Sequence, residues 1–297
     1  MKNKHLLLAV LVTAVWGCNF PITKLGLASI HPLLLTALRF SLAALPWVFV
    51  VRRPNVGSGW LAAYGLVFGV AMWALINLGI AMGVPPGTAS LLIQFSAFFT
   101  LGWGVLLFRE SLSWPQLLSV LLAAIGLGGI VWSSQGQVSV PGLLLVMVSA
   151  LAWSLGNVII KRCGVREIFA FVVWASLFVP VPLVLWVGWL DGAQAFSALP
   201  AQLTGTAVFS LVFQVYGATL FCYWGWNLLL REYPVSRVAP LSLLIPVFGI
   251  VSSKVLLGQQ PGPAEWGWMG LILLALATGQ VTGRVLLPGR TARGTPK

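Results

Sequence analysis

Charge is what this chain has least of. Of 297 residues, 7% are Asp, Glu, Lys or Arg, against roughly 25% in ordinary soluble domains. Acids are scarcest: Glu110, Glu167, Asp191, Glu232 and Glu265 are the only five. Residues 54–108 and 111–160 contain no charged side chain at all. So few charges cannot cover a water-exposed surface, and a soluble globular fold is excluded. Cysteine is nearly absent too: Cys18, Cys163 and Cys222 are odd in number and provide no disulfide framework. There is no metal-ligand spacing, no phosphate-cradling glycine loop and no nucleophile elbow. These absences argue against an enzyme and imply neither a cofactor nor a metal.

What is abundant is apolar residues, 59% of the chain. One bilayer crossing takes about 20 of them, so each uncharged run must hold two helices joined by an uncharged turn. The turns are visible, AMGVPPG around Pro85 and SSQGQVSVPG around Gly136. The pattern predicts ten spans, at about residues 5–25, 32–51, 59–82, 87–108, 114–132, 141–160, 168–190, 204–230, 238–257 and 266–284. The fold class is therefore all-α integral membrane. The first span follows Lys2 and Lys4 but is too long for a signal peptide and has no small-residue cleavage site, so it reads as a retained anchor.

The chain also repeats itself. WGCNFPITK at Trp16–Lys24 returns as WSLGNVIIK at Trp153–Lys161, with Trp and Lys each 137 residues on. LIQFSAFFT around Phe98 returns as LLIPVFGIV around Phe248, 150 residues on, which implies an insertion of about a dozen residues in the second copy. The units are residues 1–135 and 136–288, five spans each, followed by a basic cytoplasmic tail at 289–297. With the N-terminus inside, all of the 17 Lys and Arg except Lys24, Arg39 and Lys254 fall in inner loops and tails. The positive-inside rule thus fixes both termini in the cytoplasm. The net charge of +12 punctuates helix ends instead of forming a stripe, so no nucleic-acid partner is implied. Five spans is an odd number, so the second copy enters from the opposite side. Such inverted repeats are a mark of secondary transporters, which open a midplane site to each side in turn.

WGCNFPITKLG at Trp16, LRF at Leu38, GTASLLIQFSAFFT at Gly87 and RVAPLSLLIPVFG at Arg237 resemble the ten-helix EamA branch of the drug/metabolite transporter superfamily, over almost the whole chain. Within that branch the likeness is to exporters of O-acetylserine and cysteine, with exporters of aromatic amino acids and paraquat as siblings. The resemblance implies amino-acid export across the bacterial inner membrane. It also implies a cavity lined by helices one, three, four, six, eight and nine. One departure is that many relatives carry Glu after the fourth helix of each copy, whereas Glu110 is answered here by Gln260. Two other readings stay open: an exporter of hydrophobic cations such as paraquat, and a non-transporting flippase-type subunit. The complete duplication favours a self-sufficient monomer, with a dimer compatible.

Polar side chains are costly in hydrocarbon and turn towards a cavity or a partner helix. The mid-helix set is Asn19, Asn77, Gln94, Ser96, Asn157, Gln214, Tyr216 and Ser242, all on the six helices named above, with Trp16, Trp73, Trp103, Trp153 and Tyr223 beside them. As substrate contacts we single out Trp16, Asn19, Asn77, Gln94, Trp153, Asn157, Gln214, Tyr216 and Ser242. Neutral donors suit an amino-acid carboxylate, and a Trp face suits its ammonium, by about 0.5–2 kcal/mol. Interhelical bonding, at about 0.6 kcal/mol each, is the competing use of such residues.

Lys24, Arg39 and Lys254 are expected at an outer vestibule. Arg39 lies about 10 Å below the outer helix end. There it either attracts a carboxylate or bonds helix-end carbonyls and locks its helix in place. Pro21, Pro240 and Pro246 interrupt helices one and nine and are candidate hinges. With no carboxylate or His inside the spans, transport is expected to be facilitated or only weakly coupled to protons.

Overall fold

The computed structural model describes residues 1–108, 113–133, 139–233 and 238–282. Among these the chain is helical and has no strand. Among the described residues eight helices are long and apolar enough to cross a membrane: α1 (Asn3–Leu27), α2 (Pro32–Phe49), α3 (Ser58–Ala81), α4 (Pro86–Leu107), α5 (Trp114–Ser133), α6 (Val140–Cys163), α7 (Ile168–Asp191) and α8 (Gly205–Leu229). A shorter apolar helix, α9 (Leu241–Leu257), and then α10 (Pro263–Thr282) follow. Their ends agree with the sequence reading to within three residues. The turn around Gly136, Glu110, Arg237 and the tail 289–297 lie outside the described residues.

Local chemistry sets the helix ends. Pro32, Pro86 and Pro141 sit in the first turns of α2, α4 and α6, where a missing N–H costs no hydrogen bond. The hydroxyls of Ser139 and Thr204 accept from the backbone N–H groups of Gly142 and Ala207, capping α6 and α8. Gly164 and Gly258 end α6 and α9 at φ of 64° and 65°, the left-handed conformation glycine tolerates.

Helix packing follows an exchange rule. α1 lies against α8 and α9, while α6 lies against α3 and α4. α2 meets α8, and α7 meets α3. Other pairs are α2 with α7, α4 with α9, α5 with α10, and α2 with α3 as α7 with α8. Adding five to each number, or subtracting it, maps each of these pairs onto another or onto itself, whereas the contact of α1 with α4 has no comparable counterpart among the described residues. Backbone irregularities follow the same rule. A π-helical stretch widens α3 at Gly65–Ala74 and α8 at Phe213–Phe221. A 3₁₀ turn tightens α4 at Ile93–Phe95, and another opens α9's chain at Ala239–Leu243. Two short turns, Gln194–Ser197 and Leu199–Gln202, take up extra length between α7 and α8.

Glycine supplies the close approaches between helices. Gly65 lies against the Ala175 carbonyl, Gly69 against Val179, Gly126 against Ile272 and Gly129 against the Trp268 ring. At each point a Cβ would collide, so the backbones meet more closely than larger residues permit.

Candidate functional site

Helix α6 shows where the bundle opens. Its outward stripe includes Leu144 and Val148, both exposed. Its inward stripe holds Leu143, Val146 and Ala150, all buried, then Trp153, half-buried, and Asn157, exposed. Asn157 is eleven residues, three turns, past Val146 and so lies on the same face. A face sealed at Val146 and exposed at Asn157 marks an interior opening at the Cys163 end of α6. Around it, Trp16 of α1 is half-buried, donates its Nε1–H to the Ala218 carbonyl at 2.9 Å, and meets Tyr223 and Trp226 edge-on. Trp103 of α4 donates to the Ser154 hydroxyl at 3.0 Å, and Gln94 donates to the Ser242 carbonyl at 3.2 Å, tying α4 to α6 and to α9's chain.

A second polar region is closed. Arg39 of α2 is fully buried, its guanidinium lies 3.8 Å from the Trp73 ring centroid, and its Nε donates to the Thr219 hydroxyl at 3.1 Å. That hydroxyl in turn donates to the Gln214 carbonyl, five residues back in the π stretch of α8. Gln214 donates to Ser210, which donates to the Ile22 carbonyl of α1. Asn77, one turn beyond Trp73 on α3, donates to Thr36 of α2 at 2.9 Å. Asn19 and Asn77 are fully buried, as is Gln214. The chain thus brings Asn19, Asn77 and Gln214 together on one side, and Trp16, Gln94, Trp153, Asn157 and Ser242 around the opening.

Tyr216 joins neither group. It is 47% exposed on the outward side of α8, with Phe209 and Val212. Gln214 faces inward, and residues two apart cannot share a helix face. The three cations also separate. Lys24 donates to the Ile80 carbonyl at the end of α3, at 3.2 Å, and Lys254 is exposed. Bonding to a helix-end carbonyl, weighed for Arg39, is therefore what Lys24 does, whereas Arg39 reaches a hydroxyl in the interior. Pro21 and Pro246 are buried within unbroken α1 and α9, and Pro240 lies in the 3₁₀ turn. Sequence reasoning missed Thr36, Ser154, Ser210 and Thr219. A helical hydroxyl can always bond its own helix, as Ser176 does to Val172, so its type carries no positional signal.

A bundle of long apolar helices with an interior open at one end and polar groups buried beyond it has the form of a membrane carrier. The chain matches the EamA-like transporter family over residues 3–132 and 140–278, and it belongs to that family. It is similar to a probable amino-acid metabolite efflux pump of Salmonella typhimurium, at 38% identity over 87% of this chain and 89% of the relative. The protein of the same description from Escherichia coli is 36% identical over 88% and 89%. A probable terminal-alkyne amino-acid exporter of Streptantibioticus cattleyicolor is 26% identical over 98% and 100%. A solved crystal structure aligns with a TM-score of 0.64 at 20% identity, covering 97% of this chain and 100% of that one, which shows a shared fold. This is a multi-pass transporter of the bacterial inner membrane.

Proposed function

We propose that the protein exports amino acids and related metabolites by alternating access. In this reading it is a ten-span carrier of two inverted repeats, residues 1–135 and 136–288, with both termini cytoplasmic. The helix exchange rule supports the inversion, as does the matching of the family to two separate stretches. The names of the relatives support the cargo. The observation that carries the proposal is the graded inward stripe of α6, sealed at Val146 and open at Asn157. By the basic residues at its rim, Lys161, Arg162 and Arg166, the opening faces the cytoplasm. Cargo enters there between Trp16 and Trp153, whose ring faces receive the ammonium while Asn157 and the Gln94–Ser242 pair supply polar contacts. Pro21, Pro240 and Pro246 are the points where α1 and α9 bend to reverse the access. A buried guanidinium disfavours the hydrophobic-cation reading. A complete pair of repeats disfavours the flippase-subunit reading and an enzymatic role, and suits a monomer.

The test is uptake of labelled threonine, methionine, cysteine, O-acetylserine and phenylalanine into liposomes holding the purified protein, with and without a pH gradient. Saturable uptake of at least one, insensitive to the gradient and reduced by Trp153→Ala and Asn157→Ala, is the expected result. Uptake of a quaternary cation and of no amino acid would overturn it.

A further inference from the structure

Arg39 has a charge to answer and, among the described residues, no acid to answer it. Glu167, Asp191, Glu232 and Glu265 all lie at helix ends or between helices, so no described carboxylate falls inside the bundle. A guanidinium has five N–H donors, and a buried charge is strongly unfavourable unless paired. Stacking on Trp73 and one bond to Thr219 meet part of that need, yet the buried Nη1 has no hydrogen-bond partner. Its surroundings are unsatisfied in the same way. Trp73 Nε1, both polar atoms of Asn19, Thr23 Oγ1, Asn77 Oδ1 and Gln214 Oε1 are buried without partners. Native interiors hold few such atoms, and each requires a reason.

These atoms form one patch. Trp73 lies beneath the guanidinium, and Asn77 is tied to Thr36, three residues before Arg39. Gln214 is linked through Thr219 to Arg39, and through Ser210 to α1 between Asn19 and Thr23. Asn19 itself lies on the α8-facing side of α1, between Val15, which meets Gly217, and Gly26, which meets Ser210. The unused groups divide by chemistry: donors on Arg39, Trp73 and Asn19, and acceptors on Asn77, Gln214 and Asn19. That is the complement of an α-amino-acid zwitterion.

We propose that this patch, beyond the sealed end of the cytoplasmic opening, receives the backbone of the cargo as the carrier turns outward. Arg39 Nη1 and Trp73 Nε1 hold the α-carboxylate, and the side-chain oxygens of Asn77 and Gln214 accept from the ammonium. The assignment rests on the amino-acid reading above and sharpens it: the carrier selects for a free α-carboxylate, whatever the side chain. It also gives the pathway two stations, an aromatic entry at Trp16 and Trp153 and a charged one at Arg39.

The experiment is competition against counterflow of a labelled amino acid that wild type carries, by the same amino acid, its methyl ester and its amide. The ester and amide keep the ammonium and side chain but lose the carboxylate. In wild type the acid should compete at least about tenfold better than either, as one charge-assisted pair provides. In Arg39→Gln that ratio should fall to near one through loss of acid binding, with Arg39→Lys intermediate. Trp73→Phe keeps the ring, deletes the Nε1 donor and should lower the ratio several-fold. A folded Arg39→Gln protein that keeps the wild-type ratio overturns the proposal. Should Arg39→Gln fail to fold, unchanged ratios in both Arg39→Lys and Trp73→Phe overturn it instead. Failure of wild type to carry any amino acid is a different result, and defeats the amino-acid reading itself.

Discussion

Two helix interfaces hold equivalent places in the bundle and are built from opposite materials. Where α2 meets the π stretch of α8, a buried cation stacks on Trp73 and bonds Thr219. Where α7 meets the π stretch of α3, Gly65 and Gly69 press against Ala175 and Val179, and Tyr64, Phe68 and Phe171 fill the space with rings. The residue 137 positions after Arg39 is Ser176, buried and bonded only within its own helix, to Val172. Helix direction, packing partner and backbone irregularity persist across the two interfaces, while charge does not. The lesson is physical. Pairing of apolar helices depends on many small contacts spread along both partners, whereas a buried charge is one residue and can be present in one place and absent from its counterpart.

The apolar interface should be the more easily broken. Gly69→Leu would drive a branched side chain into Val179, and overpacking of this kind costs about 3 kcal/mol. Thermal unfolding of the purified protein should show a large fall, or folded protein should not be recovered; a wild-type transition would mean that α3 and α7 can part there. At the polar interface, Thr219→Val keeps the shape and deletes the acceptor of Arg39 Nε, at about 1–2 kcal/mol. An unchanged melting temperature would show that Arg39 finds another partner. The opening gives a contrast within one helix face. With the native cysteines replaced, a membrane-impermeant thiol reagent applied to the cytoplasmic side should label Asn157→Cys at least about tenfold faster than Val146→Cys, since the thiolate must be solvent-accessible to react. Equal rates would leave the graded stripe without functional meaning. Smallest of all, Ser176→Ala should change stability by no more than about 0.5 kcal/mol, and a larger loss would show that the second interface also depends on a polar contact.

The aromatic and amide residues of the site were legible as types. Trp16, Trp153 and Asn157 stood out because they lie in the repeated segment whose Trp and Lys return 137 residues on, and Asn19, Asn77 and Gln214 because amides are rare in apolar runs. Their grouping was not legible. Asn19 and Trp16 are three residues apart on α1 and both face α8, yet the first is fully buried beside the Arg39 patch and the second lies half-buried by the opening. Tyr216 read the same as Gln214 but lies on the opposite side of its helix. Arg39 read as a vestibule cation because helix depth was the only coordinate available; its burial comes from α3 and α8, remote in the chain.

By itself the sequence determined the solvent, the helix positions and the repetition. These follow from composition and spacing, since lipid accepts only long apolar helices with their backbone groups bonded within the segment. Tertiary structure alone decided which face of each helix is closed, where the interior opens, and that an arginine with no described acid to pair with stands on a tryptophan among amides whose oxygens lack partners. A helix sequence fixes the angle between its own side chains, but what each angle points at depends on neighbours whose contacts no local pattern records.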